Sequence, residues 1–177
     1  PPGVRTLEGA CAGNGWILCW RGARAWGWSP GRGWIGLPGA EAPIREGHVA
    51  AEGFLAVVEK GRQAGFWRPG DPGWAWWFKP EGPTRPDGAA WFVDGSLVAI
   101  LNAKRRTPRW TLYRIGARGL VRVGRFSAEE CEDPRRLRDR GTEADLYCGR
   151  GIARFRLGEG TATFDRSTPF SLKGWPP

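Results

Sequence analysis

Four times along this chain a residue pair ending in glycine introduces a short apolar run. The pairs are Asn14-Gly15, Glu52-Gly53, Asp94-Gly95 and Arg150-Gly151, and the runs are Trp16 to Trp20, Phe54 to Val58, Ser96 to Ile100 and Ile152 to Arg156. Self-similarity at a near-constant period reports architecture before any single motif does, because each copy is one supersecondary unit that buries its apolar face against its neighbours. The anchor glycines are spaced by 38, 42 and 56 residues, and an insertion at 127–141 accounts for the long last gap.

Each unit reads as strand, tight turn, strand, loop, strand, turn, strand. In the third these are Ala89 to Val93, Ser96 to Leu101, Trp110 to Ile115 and Leu120 to Val123. The second offers His48 to Ala51, Phe54 to Val58, Ala64 to Trp67 and Trp74 to Phe78, and the first Leu7 to Ala12, Trp16 to Trp20, Ala25 to Trp28 and Trp34 to Leu37. The fourth offers Asp145 to Cys148, Ile152 to Leu157, Thr161 to Asp165 and Phe170 to Trp175. Short runs bounded by Gly, Pro and Asp are strand signals, and Asn-Gly or Asp-Gly supplies the positive φ that a two-residue hairpin needs. The expectation is a single all-β domain over 1–177, with repeats at 7–38, 48–80, 89–126 and 144–175. The 28 glycines and 15 prolines suit dense turns, and one helical stub is expected at Ser127 to Glu132, capped by Ser127 with Glu130 three residues on.

A four-stranded unit of about 40 residues is the size of one propeller blade. Asp94-Gly95-Ser96-Leu97-Val98-Ala99-Ile100, followed by Trp110-Thr111-Leu112-Tyr113-Arg114-Ile115, resembles a blade of TolB-type, WD-repeat-like propellers. Asn14 and Glu52 stand where that pattern has Asp, and no unit has the Ser-Pro that often precedes the pair. The resemblance implies four antiparallel four-stranded sheets in a propeller-like arrangement; a β-sandwich or barrel is the alternative. It implies no activity, since propellers host unrelated functions.

The four cysteines, Cys11, Cys19, Cys131 and Cys148, lack zinc-type spacing, and His48 is the single histidine. An even count in a loop-rich chain reads as two disulfides. A three-residue loop at Asn14 to Trp16 would set Cys11 opposite Cys19, and a Cys131–Cys148 bridge would pin the insertion to its own repeat; Cys11 with Cys148 is the competing pairing. Disulfides point outside the cytosol. The chain opens on Pro1 and has no apolar stretch near the ~20 residues of a membrane helix, so a removed export or lipoprotein signal is expected, with a trimmed chain as the alternative. Four lysines against many arginines, few amides and many loop prolines suggest a thermophilic, GC-rich bacterium.

Twelve tryptophans are the second anomaly. In Trp26-Gly27-Trp28 and Trp74-Ala75-Trp76 two rings share one face of a strand, and Trp77 with Phe78 covers both faces of another. Such rings either fill the wedge between sheets or form an aromatic contact surface, so Trp26, Trp28, Trp74, Trp76 and Trp77 are the candidate aromatic binding residues. With a net charge of +9, the clusters Lys104, Arg105, Arg106 and Arg109, and Arg135, Arg136, Arg138 and Arg140, are candidate contacts for anionic partners; Glu129, Glu130, Glu132 and Asp133 would cancel part of the second field.

No nucleophile elbow, phosphate-cradling loop or metal-ligand cluster is present, so no enzyme, cofactor or metal is expected. Asp87, Asp94, Asp139 and Asp145 read as turn or loop formers, and a two-carboxylate glycosidase would need a separation the sequence does not encode. The leading expectation is a non-enzymatic, extracytoplasmic platform for protein–protein assembly in a bacterial envelope or surface complex, with self-assembly included. A carbohydrate-binding module using paired tryptophans, and a binder of nucleic acid or acidic polymer through arginine loops, are the alternatives. Assembly calls for a flat apolar patch. A lectin calls for solvent-facing tryptophan beside polar residues.

Overall fold

The computed structural model describes residues 3–58, 63–80, 90–102, 109–127, 131, 134–149, 151–158 and 161–165, the last segment as backbone only. Among them there are sixteen β-strands and no helix. The first sheet is β1 (Gly9–Gly13), β2 (Trp16–Arg21), β3 (Arg24–Ser29) and β4 (Gly33–Gly36); the second is β5 (Ile44–Ala50), β6 (Gly53–Val58), β7 (Gln63–Trp67) and β8 (Trp76–Phe78). The third is β9 (Ala90–Asp94), β10 (Leu97–Asn102), β11 (Arg109–Gly116) and β12 (Gly119–Ser127). The fourth is β13 (Arg136–Asp139), β14 (Glu143–Cys148), β15 (Gly151–Gly158) and β16 (Thr161–Asp165). All four are antiparallel meanders in sequence order, the pattern that short turns between adjacent strands impose. The fold is therefore all-β, built from four four-stranded sheets.

The chain divides into two compact units, one of Pro1–Ala89 with Gly116–Gly119 and one of Ala90–Ile115 with Leu120–Pro177. In the first, Leu18, Trp20 and Ala25 pack with Ile44, Phe54, Ala56, Val58 and Trp67. Residues on β6 and β7 are buried on both strand faces, so these runs are apolar without alternation. In the second unit Leu97, Ala99, Trp110 and Leu112 pack with Leu137, Ala144, Leu146, Ala153 and Phe155.

Similar sequence punctuation serves different geometries. Gly13 pairs with Trp16, so Asn14 and Gly15 are the two central residues of a hairpin turn, both at positive φ (49° and 75°). That is the turn whose twist matches the strands. In the third sheet Asp94 pairs with Leu97, which moves the turn to Gly95-Ser96. In the second, Ala50 pairs with Gly53, and Gly53 is needed for space: a Cβ there would collide with the Trp67 carbonyl.

The anchor side chain also ties adjacent sheets. Asn14 Nδ2 donates to the Ala50 carbonyl (2.8 Å), joining the β1–β2 turn to the end of β5. In the second unit the Asp139 amide donates to Asp94 Oδ2 (2.7 Å), while Asp139 Oδ2 accepts from the Ser96 amide and hydroxyl (both 3.1 Å). A Cβ on Gly95 would sit 2.8 Å from that carboxylate, so the Asp-Gly-Ser turn doubles as a cradle for Asp139.

The fourth repeat departs from expectation. Gly151 opens the third strand of its sheet, where it pairs with Cys148 at the end of the second, and Arg150 lies outside the described residues. The corresponding first turn runs through Gly141 (φ 81°), and the anchor spacings become 38, 42 and 46. The supposed insertion at 127–141 contains β13, the first strand of this sheet, and Thr161–Asp165 is the fourth strand where Phe170 to Trp175 was expected; 166–177 lie outside the described residues. Ser127, expected to cap a helical stub, ends β12 instead, and 128–130, 132 and 133 lie outside the described residues.

Cys131 and Cys148 form a disulfide across 17 residues, within the apolar core of the second unit. Closing a loop of that length contributes about 3 kcal/mol in the chain-entropy account. The second expected bridge is absent. Cys11 pairs with Leu18 and Cys19 with Ala10, so the two-residue turn offsets the cysteines by one position and sends their side chains to opposite faces of the sheet. With Cys148 bridged to Cys131, the competing Cys11–Cys148 pairing is also excluded. Burial pushes the Cys11 thiol up to about 12 and raises that of Cys19 as well, so both stay protonated and weakly nucleophilic at neutral pH.

Candidate functional site

Strand alternation sorts the first sheet into two faces of different fate. On the inner face are Gly9, Cys11, Gly13, Trp16, Leu18, Trp20, Ala25 and Gly27, and this face meets the second sheet: a Cβ on Gly13 would touch Val49, and one on Gly47 would crowd Trp20 and Phe54. On the outer face two rows cross all four strands. One is Ala12, Ile17, Trp28 and Trp34; the other is Ala10, Cys19, Trp26 and Gly36.

The outer rows are open. Ile17 and Trp34 are 43% and 41% exposed, Ala10, Ala12 and Gly36 are exposed, and Trp26 and Trp28 are half-buried. A Cβ built on Gly36 would meet nothing within 4 Å. Exposed Arg21 and Arg24, directly paired, close one end of the face. Between the indoles there are only alanine, glycine, isoleucine and a buried cysteine. The result is a contiguous apolar patch of the kind that marks an interaction surface.

Trp26 and Trp28 thus stand together as expected, joined by Ile17 and Trp34, which were not among the candidates. A register signal for Trp34 was present: a hairpin centred on Gly31 pairs position 28 with 34, and Trp28 does pair with Trp34. Of the other aromatic candidates, Trp76 is buried, while Trp74 and Trp77 are half-buried and pack against the core of the first unit. Trp76 stacks on Phe66 (centroids 5.1 Å, planes 20° apart). Trp74 lies 6.3 Å from Phe54 and 5.0 Å from Trp77, and its indole donates to the Gly39 carbonyl (2.9 Å). Trp77 presses on Gly65, where a Cβ would meet its ring at 2.7 Å.

The basic candidates do not gather into one site among the described residues. Lys104, Arg105 and Arg106 lie outside them, and Arg109 is an exposed residue opening β11. Arg135 precedes β13 and donates its amide to the Tyr147 carbonyl (2.8 Å), while Arg136 and Arg138 are exposed on one face of β13. The acid in this region is Asp145, expected in a turn but found fully buried within β14. Its carboxylate accepts Arg140 Nε (2.8 Å), Arg154 Nε (2.8 Å) and Arg154 Nη2 (3.4 Å). The expected carboxylate partners 129, 130, 132 and 133 lie outside the described residues. His48 is a strand residue, with Nε2 3.3 Å from Glu46 Oε1. Among the described residues no three His, Cys, Asp or Glu side chains are grouped to hold a metal.

No protein-family model matches the chain, and no curated protein does. Solved structures do match. Hsv2p of Kluyveromyces lactis is similar over 96% of this chain and 54% of its own, with 14% identity and a TM-score of 0.54. PorZ of Porphyromonas gingivalis, a bacterial surface component of the type-IX secretion system, is similar over 90% of this chain and 20% of its own, with 15% identity and a TM-score of 0.54. The chain thus spans about half or less of the length of these proteins. Both are β-propeller proteins, and the likeness shows a propeller-type fold for the four sheets.

Proposed function

We propose that this chain is a non-enzymatic, extracytoplasmic β-propeller-type scaffold of a bacterial envelope or surface complex, which binds protein through the outer face of its first sheet. The observation that carries the reading is the apolar patch of Ile17, Trp26, Trp28 and Trp34. Its composition supports one kind of occupant. The inner face of the same sheet alternates tryptophan with glycine and alanine and is covered by a four-stranded sheet; the outer face uses the same residue types in the same alternation. A partner that presents an apolar β-sheet face fits it. Large, flat indoles lose little conformational entropy on being covered and dominate binding energy at interface centres. A glycan platform fits less well, because no hydrogen-bonding side chain stands between the rings. The Cys131–Cys148 bridge supports an oxidising compartment.

The test is a photo-crosslinking phenylalanine analogue at position 17 or 34 in cells that make the protein naturally. A discrete crosslinked polypeptide is expected from both positions and not from exposed position 32. Trp28→Asp should lower its yield at least tenfold with the circular dichroism spectrum unchanged. A product of twice the chain mass would identify the covering sheet as a second copy. Absence of any specific product from 17 and 34 would refute the reading.

A further inference from the structure

A second feature of the first unit lies on the opposite side of the first sheet from the apolar patch. A cavity of about 120 Å³ opens beside the Asn14-Gly15 turn, lined by Trp16, Leu18, Val49, Phe54 and Trp67, with Glu52 also in its lining. Trp16 and Trp67 stand at right angles (85°) with centroids 6.3 Å apart, forming two aromatic walls of one corner. Asn14, held to the Ala50 carbonyl, fixes the turn that carries Trp16.

From this geometry we propose that the cavity binds an organic ammonium group: a quaternary amine, or the cationic end of a lysine or arginine side chain. An ammonium ion is drawn to indole faces by the ring quadrupole, and the attraction grows as water is excluded. Apolar walls alone would accept any hydrocarbon of the right size; the carboxylate of Glu52 selects for positive charge.

The chain already shows this preference locally. The Arg68 guanidinium lies over the Phe66 ring at 5.1 Å, with its Nε 3.7 Å from Glu52 Oε2. Glu52 is 73% exposed in that pair, so the contact is weak and a ligand cation can displace it. The net charge of +9 opposes cations at long range, but physiological salt screens it beyond about 8 Å and leaves the local carboxylate to decide.

The probe is tetramethylammonium chloride, titrated into the full chain at constant ionic strength while the indole N–H resonances are followed by proton–nitrogen correlation NMR. Saturable shifts of Trp16 and Trp67 are expected, with Trp34 unmoved. Tert-butanol, similar in shape but neutral, should bind at least tenfold more weakly. Glu52→Gln, at an exposed position, should keep the fold and weaken tetramethylammonium at least fivefold. Equal binding of tert-butanol, equal affinity in the Glu52→Gln variant, or no saturable shift would each overturn the proposal. Arms with trimethyllysine amide, lysine amide and arginine amide identify the source: tighter binding than the free ion points to a polypeptide side chain, weaker binding to a small quaternary amine. Because Trp34 and Ile17 take no part, failure here leaves the docking reading untouched, and the reverse holds.

Discussion

Phe54→Ala is expected to remove about 3 to 5 kcal/mol of stability, a sizeable fraction of what holds a domain folded. Phe54 is fully buried at the junction of the first two sheets, 6.3 to 6.4 Å from the rings of Trp20 and Trp74. The loss combines the transfer free energy of a phenyl group with the void left behind. That void has little means of collapsing, because its walls are indoles braced by one another and by backbone: Trp20 lies across Gly9, and Trp74 is hydrogen-bonded to Gly39. Denaturant unfolding followed by near-UV circular dichroism measures the effect. Ile17→Ala, on the open face, is the control and should change stability by less than about 0.5 kcal/mol.

The second large effect is expected at Asp145. Its carboxylate is completely buried and receives two guanidinium groups, from Arg140 and Arg154. Replacing it with alanine removes the buried carboxylate that both guanidinium groups share, and leaves Arg154 with Glu143 at 4.0 Å. Breaking a buried ion pair costs about 3 to 5 kcal/mol. The arginines are 41% and 29% exposed and recover part of their hydration, which places Asp145→Ala at the lower end, near 3 kcal/mol. A double-mutant cycle of Asp145→Asn with Arg154→Met, read by urea unfolding, should give a coupling above about 1 kcal/mol. Additive losses would mean that the two side chains act separately.

The strand order was legible in the sequence because turn chemistry is local. The glycine-bearing turns Asn14-Gly15 and Gly95-Ser96 need only their own dihedral preferences to nucleate hairpins, and the apolar runs beside them are strands. What was not legible depends on parity or on distant neighbours. One residue of loop length decided whether Cys11 faced Cys19, since a strand reverses face at every position. Arg150-Gly151 has the same look as the other anchors, yet Gly151 sits one hairpin later, and only the pairing of Arg136–Asp139 with Ala144–Tyr147 reveals it. The tryptophans divided for a similar reason. Trp28 and Trp76 occupy alternating aromatic runs of the same kind, but one faces outward from the first sheet and the other stacks on Phe66. Burial belongs to the packing of sheets, which no window of sequence contains.

The apolar face was recoverable only in part. Trp26 and Trp28 announced themselves as an i, i+2 pair. Ile17 and Trp34 join them through cross-strand register, so finding them required the loop lengths on both sides of β3. The inward Trp16 was likewise invisible as a cavity wall until Trp67 was placed against it.

Tryptophan-resolved hydroxyl-radical footprinting of the isolated chain, read by mass spectrometry, tests the central claim most directly. Among the tryptophans of the described residues, Trp34 should react fastest, Trp26 and Trp28 at intermediate rates, and Trp20, Trp67, Trp76, Trp91 and Trp110 should be protected. Protection of Trp34 in a chain shown to be monomeric, or reactivity of Trp91 and Trp110 equal to that of Trp34, would contradict it.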